Sequence, residues 1–172
     1  MLISLVGYMG SGKTSVASAL SQKLQCRWAD LDHEIENFEK IKISEIFKQK
    51  GEIYFRKLEN QLLDKLLQSP EPMVLSLGGG APMFYNNMEL LLAHSESFYL
   101  FASPAELATR LAKGKAQRPL IQHLSDEELP EFIAKHLFER NPKYQMAKYT
   151  INTQGLSPDG VADEIIQKLN LD

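Results

Sequence analysis

MLISLVGYMGSGKT, residues 1–14, is the stretch whose reading decides the fold. Leu2–Val6 is a short apolar run ending in glycine, the pattern of a strand buried on both faces. Gly7, Gly10 and Gly12 follow, and a helical pattern begins at Lys13, with Val16, Ala17, Leu20 and Leu24 on one face. Gly7 to Thr14 fits G-x-x-x-x-G-K-[ST], the phosphate-binding loop, and it stands between strand and helix as that motif requires. Glycines let successive backbone N–H groups converge on an anion, and the helix N-terminus adds its positive end. Lys13 supplies a full charge, and the Thr14 hydroxyl can join a Mg²⁺ coordination shell. A glycine turn carrying a surface lysine would need neither the buried strand before it nor the helix after it. The loop is read as a cradle for ATP or GTP.

Working outward, strands are expected at Arg27–Ala29, Met73–Leu77, Ser97–Phe101 and Tyr149–Asn152. Helices are expected at Glu34–Glu39, Ser44–Lys50 with Gly51 as its stop, Glu52–Gln68, Asn87–His94, Pro104–Lys113 and Pro158–Leu169. A further helix ends near Asn141. Ser125 and Glu128 have capping-box spacing before it, although Pro130 would then lie one turn inside. The segment Gly114–Leu124 is polar and irregular. Strands alternating with helices predict a three-layer α/β domain of about five parallel strands with right-handed crossovers. No linker or repeat divides residues 1–172, so one domain is expected. Ligands of such sheets bind at the carboxyl ends of the strands, which directs attention to the residues after each strand.

Bulk composition narrows the function. The 172 residues, 44% hydrophobic and 24% charged with net charge −3, suit a soluble domain and not a general nucleic-acid binder. Cys26 is the single cysteine, so no intrachain disulfide can form, and it reads as a core residue. The four histidines show no metal-ligand spacing. No run of residues is apolar and long enough for a membrane span, and the N-terminus reads as neither signal nor transit peptide. A cytoplasmic protein is expected.

The other strand ends carry the second substrate. Asp30 and Asp32 stand two apart after the second strand; one can hold Mg²⁺ through water, the other a substrate hydroxyl and its proton. Asp32 can equally cap the helix that follows, and the two roles are compatible. Gly78, Gly79 and Gly80 follow the third strand, where either a tight turn or a close approach of backbone to ligand is possible. Ser76 stands where many phosphate-loop proteins place an acidic metal residue, which shifts metal work towards Asp30 and Thr14. Arg56, Arg110, Arg118 and Arg140 would each pass alone for a surface arginine, but together over the loop they would clamp anions. The chain has no N-K-x-D segment of a guanine-reading GTPase, and it is small for a motor ATPase.

GYMGSGKTSVA, DLDHEIE, ISEIF with GE and FRKLE, LSLGGGAP, RPL and ERNPKY stand in the order and spacing of shikimate kinases, and the chain resembles that family from about Leu2 to Val161. The resemblance implies a nucleoside-monophosphate-kinase-like α/β/α fold with a five-stranded parallel sheet in the order 2-3-1-4-5. It implies transfer of the ATP γ-phosphate to the 3-hydroxyl of shikimate, on the chorismate route to aromatic amino acids, with Mg²⁺. By matching position, Gly10, Ser11, Gly12, Lys13, Thr14 and Ser15 resemble the nucleotide residues, with Arg110 against adenine and Gln154 near it. Thr14 and Asp30 resemble the metal residues. Asp32 resembles the residue that holds the shikimate hydroxyls. Arg56 and Arg140 resemble the carboxylate pair, with Glu59 orienting Arg56, and Gly78, Gly79 and Gly80 the backbone beside the substrate. Arg118 resembles the lid arginine, in a lid near 113–124. Lys13, Asp32 and Arg118 are thus the implied catalytic residues. A monomer acting on shikimate and ATP, with no nucleic-acid or membrane partner, is expected. Other small-metabolite kinases of the same fold, such as gluconate kinase, share the loop but not this substrate end. An adenylate-kinase-like activity would need more lid arginines, and a binding protein that has lost catalysis would have no need of Lys13, Asp30, Asp32 and Arg118. Two departures stand out: Ala17 where many members have glycine, and Asn152–Gly155 where many have a basic residue.

Overall fold

A computed structural model describes residues 1–171. Among them, five strands form one parallel sheet: β1 (Leu2–Val6), β2 (Arg27–Asp30), β3 (Met73–Ser76), β4 (Glu96–Phe101) and β5 (Tyr149–Asn152). Their order is β2-β3-β1-β4-β5, as the resemblance implied. The helices are α1 (Lys13–Leu24), α2 (Leu31–Glu39), α3 (Ile43–Leu67), α4 (Asn87–His94), α5 (Pro104–Ala112), α6 (Leu129–Tyr144) and α7 (Pro158–Lys168).

The strands are apolar on both faces because helices cover both. Ile3, Leu5, Val74, Phe98 and Leu100 point to one side, where Val16, Ala17 and Leu20 of α1 and Val161 and Ile165 of α7 meet them. Leu2, Val6, Leu75 and Tyr99 alternate to the other side, with Ile35, Phe55, Leu91, Leu107 and Ile133 from α2 to α6. Fully burying one Leu or Phe side chain contributes roughly 1.5–3 kcal/mol, so these two layers dominate the favourable side of folding. The Ser4 hydroxyl would be stranded inside; it bonds the Ser95 hydroxyl at 2.7 Å, which in turn donates to the Leu91 carbonyl.

Register sets the site. Leu5 pairs with Ser76, and Ser76 with Asp30, so the loops after β1, β3 and β2 leave from one edge of the sheet.

Several boundaries differ from expectation, each for a physical reason. α2 starts at Leu31 and not Glu34, because Asp30 is its cap: its Oδ1 accepts the N–H groups of Asp32 at 3.0 Å and His33 at 3.4 Å. The break expected at Gly51 is kept: α3 is two helical pieces kinked at Gly51, which is not helical, with φ 83° and ψ 171°. The irregular stretch after α5 contains a short 3-10 turn, Lys115–Gln117, and another, Ala81–Met83, follows the triple glycine. The capping box forms in full: Ser125 N–H donates to Glu128 and Glu128 N–H to the Ser125 hydroxyl. It closes the turn before α6, which leaves Pro130 harmless in the first helical turn. α6 runs past Asn141 to Tyr144, with Pro142 inside it.

Candidate active site

A cleft of about 500 Å³ opens at the carboxyl edge of the sheet, between the β1–α1 loop, Asp30, Asp32, Gly78, Gly79 and Arg118. Gly10 and Gly12 turn the loop with φ 81° and 91°, a region that disfavours any side chain. Lys13 is 9% exposed, and its Nζ donates to the carbonyls of Gly7 at 2.8 Å and Tyr8 at 3.0 Å. Burial pulls its pKa down to about 8, against the pull of Asp32 and Asp30. An arriving phosphate would restore the charge that burial opposes.

Thr14 and Asp30 face each other across the cleft mouth, with Oγ1 donating to Oδ2 at 3.4 Å. Capping occupies the other oxygen of Asp30, so Oδ2 is the one turned to Thr14. Two hard oxygens of this kind suit Mg²⁺, which would draw its remaining ligands from phosphate and water. Ser76 adds a buried hydroxyl with no hydrogen-bond partner among the described residues, lining the same cleft.

Asp32 is not the cap of α2; that part falls to Asp30. Its carboxylate is instead free to lean on the β3 loop. Burial, reinforced by Asp30, pushes its pKa up to about 6 although Lys13 and Arg56 pull it down. The triple glycine explains how it fits. A Cβ on Gly78 would lie 2.7 Å from Asp32 Oδ1, one on Gly79 3.3 Å from an Arg140 Nη, and one on Gly80 2.9 Å from an Arg56 Nη. None of the three has a positive φ, so glycine is needed here for space and not for an unusual backbone. One carboxylate and two guanidinium groups thus press on three successive residues beside the phosphate loop.

The two arginines are braced. Arg56 bonds Glu59 through Nη1 at 2.9 and 3.1 Å and lies 3.9 Å over the Phe84 ring. Glu59 is 1% exposed, and burial pushes its carboxyl up to about 7 against the pull of Arg56. Arg140 sits 5.9 Å over the Tyr8 ring, and the Tyr8 hydroxyl bonds His136 Nδ1 at 2.8 Å. Tyr144, four residues on, donates to the Gly79 carbonyl at 2.6 Å and ties α6 to the glycines. Arg118 reaches the cleft from the segment after α5, its Nε buried without a partner among the described residues.

A second pocket, about 360 Å³, adjoins the loop and is walled by Gly12, Ser15, Arg110, Thr153, Gly155 and Pro158. Arg110 is where the resemblance put it. Gln154 is exposed and outside this wall; Thr153 and Gly155 take the place expected of it. Ser11 is buried within the loop and lines this pocket, its hydroxyl unpartnered among the described residues. Sequence reading did not single out Thr153, Tyr8, His136 or Phe84. Thr153 could have been found by the strand-end rule; the other three carry no signal that separates them from core residues.

A phosphate cradle, a carboxylate raised towards neutrality and paired arginines against the adjoining glycines define a phosphoryl-transfer enzyme of the phosphate-loop class, a small-molecule kinase. The sequence profile of the family described as Shikimate kinase matches residues 9–170. The shikimate kinase of Flavobacterium johnsoniae is 44% identical over 169 residues, covering 97% of this chain and 98% of the relative. That of Flavobacterium psychrophilum is 43% identical over 165 residues, 95% of each chain. Among solved structures, the shikimate kinase of Bacteroides thetaiotaomicron superposes with TM-score 0.93 at 36% identity, covering 99% of both chains. The Acinetobacter baumannii enzyme, solved in complex with shikimate, gives 0.87 at 34% identity, covering 98% of this chain and 92% of that one. The chain belongs to the shikimate kinase family.

Proposed function

We infer that this chain moves the γ-phosphate of ATP to the 3-hydroxyl of shikimate, giving ADP and shikimate 3-phosphate. The observation that carries the reading is the floor of three glycines with Asp32, Arg140 and Arg56 each pressed on one of them. A ring bearing a carboxylate and vicinal hydroxyls needs that set: two cations for the carboxylate, one carboxylate for the hydroxyls. Relatives that share nearly the whole chain carry the same activity in their names, and one was solved with shikimate.

The proposed roles follow from position. Backbone N–H groups of Gly10, Ser11 and Gly12, with Ser15 at the start of α1, cradle the phosphates. Lys13 leaves the Gly7 and Tyr8 carbonyls for the phosphate oxygens. Thr14 and Asp30 would hold Mg²⁺, which would neutralise charge on the phosphates when bound. Arg56, held by Glu59, and Arg140 grip the shikimate carboxylate, and Gly78, Gly79 and Gly80 form the surface under the ring. Asp32 accepts the hydroxyl proton as the O–Pγ bond forms and the bond from Pγ to the ADP oxygen breaks. Arg118 meets the developing charge from a lid near 113–124, anchored by the fully buried Ile121. Arg110 offers its face to adenine, and Gln154 keeps at most a peripheral part. A monomer working in the cytoplasm, as size and family suggest, belongs to the same proposal.

Lys13→Ala tests the phosphate assignment. Turnover should fall by about 100-fold or more, the scale of losing one transition-state charge partner, while the melting temperature holds. Near-normal turnover would remove Lys13 from the site.

A further inference from the structure

The nucleoside pocket holds a residue with no assigned part. Thr153 directly follows β5, where many relatives were expected to carry a basic side chain, and it is 2% exposed. Its N–H extends the β4–β5 ladder by donating to the Phe101 carbonyl at 2.8 Å. Its hydroxyl donates to that same carbonyl at 3.1 Å. The hydroxyl proton is therefore committed, and the oxygen is left as an acceptor aimed at Arg110.

Arg110 is held by its edges. Nη1 donates to Thr153 Oγ1 at 3.1 Å and to the Gly10 carbonyl at 3.4 Å, and Nη2 donates to the Thr153 carbonyl at 3.2 Å. Nε donates to Glu106 Oε1 at 2.8 Å, one helical turn back. A guanidinium has about five N–H donors in one plane. Four are taken, and all of them lie in that plane. What remains to a ligand is one Nη2 N–H and the flat face, and Arg110 lines the pocket.

We propose that Thr153 is a positioning residue for nucleotide binding: it fixes the plane of Arg110 edge-on, so that the guanidinium serves as a stacking platform for the base. Glu106 and the Gly10 carbonyl complete the frame. The Gly10 contact also ties the platform to the phosphate loop, so base and phosphates are presented at a set separation. A freely rotating arginine would have to be ordered by each arriving nucleotide; the frame has already ordered it. The inference rests on the proposed nucleotide side of the site.

Thr153→Val keeps the shape and deletes the hydroxyl, and Thr153→Ser keeps the hydroxyl. Initial rates against ATP and against shikimate, ADP affinity by calorimetry, and inhibition by inorganic tripolyphosphate separate the possibilities. Thr153→Val should raise the ATP KM and the ADP Kd about five- to tenfold, the scale of a buried group losing its partner. The shikimate KM, kcat and any tripolyphosphate inhibition should stay within about twofold, because the base alone loses its platform. Thr153→Ser should return ATP KM to near the starting value. An unchanged ATP KM in Thr153→Val would overturn the proposal, as would an equal rise in both substrate KM values, which would mean general loosening. Arg110→Ala separates the two levels of the reading. If it raises ATP KM while Thr153→Val does not, only the platform idea falls. If Arg110→Ala leaves ATP KM unchanged, the nucleotide assignment of Arg110 falls and takes the platform with it.

Discussion

Gly80 and Asp32 show how much hangs on single atoms. A methyl group on Gly80 would sit 2.9 Å from Arg56 Nη2, the flexible end of that side chain, which can shift slightly and still keep Glu59. Gly80→Ala should therefore leave the melting temperature within a few degrees and raise the shikimate KM by about tenfold or more, since small misplacements of a binding group cost this much. ATP KM should not move; kinetics with each substrate varied in turn will check this. Asp32 trades stability for function. Its folded pKa of about 6 lies above the ordinary 3.8, so the fold favours the protonated form. The fold thus loses stability as pH rises from about 4 to about 6, and the loss persists above. Asp32→Asn cannot ionise. It should melt higher than the parent at pH 8, with the difference closing towards pH 4, while turnover falls by about 100-fold or more. In the parent, kcat/KM should fall as pH drops through about 6. The sequence told that Asp30 and Asp32 matter, but not which one caps α2, because two carboxylates two apart at a strand end look alike until the backbone direction of each is known. It also gave no way to see that the three glycines make room for three different side chains, each brought from a separate part of the chain.

At the scale of elements, α3 is the informative case. Gly51 has φ 83° and ψ 171°, a region open essentially to glycine alone, and a Cβ there would meet nothing within 4 Å. The break lets the first piece of α3 and the piece bearing Arg56 and Glu59 take different directions. Glu39 of α2 clasps both pieces, accepting from Lys50 just before the break and Tyr54 just after it. Gly51→Ala should cost roughly 1–3 kcal/mol of backbone strain, lowering Tm by about 2–4 °C per kcal/mol. Thermal unfolding followed by circular dichroism measures it; an unchanged Tm would mean that the break has relaxed into a continuous helix. The break was readable as a stop signal at Gly51, since glycine ends helices. That one carboxylate would hold both pieces was not readable, because the Glu39 clasp comes from another helix. Likewise the Ser125–Glu128 capping box was legible, while its place one turn ahead of α6 depended on Pro130.

For the whole molecule, parallel pairing follows from the alternation of strands and helices, the strand order was implied by the family resemblance alone, and the structure agrees with both. The site is then a consequence of topology. Residues 12–15, 30, 32, 78, 79, 110 and 118 are far apart in sequence and line one cleft because parallel strands deliver the segments that follow them to one edge, where Arg140 of α6 reaches Gly79. Long-range placement of Arg56 and Arg140 could be named from motif matches, but their bracing by Glu59, Phe84 and Tyr8 exists only in three dimensions.

The central claim, transfer of phosphate from ATP to shikimate, is tested most directly by ADP formation from ATP and Mg²⁺ with shikimate, with gluconate and with no acceptor. The account predicts strong stimulation by shikimate alone, with shikimate 3-phosphate accumulating in step with ADP. Stimulation by gluconate instead, or ADP formation indifferent to the acceptor, would contradict it.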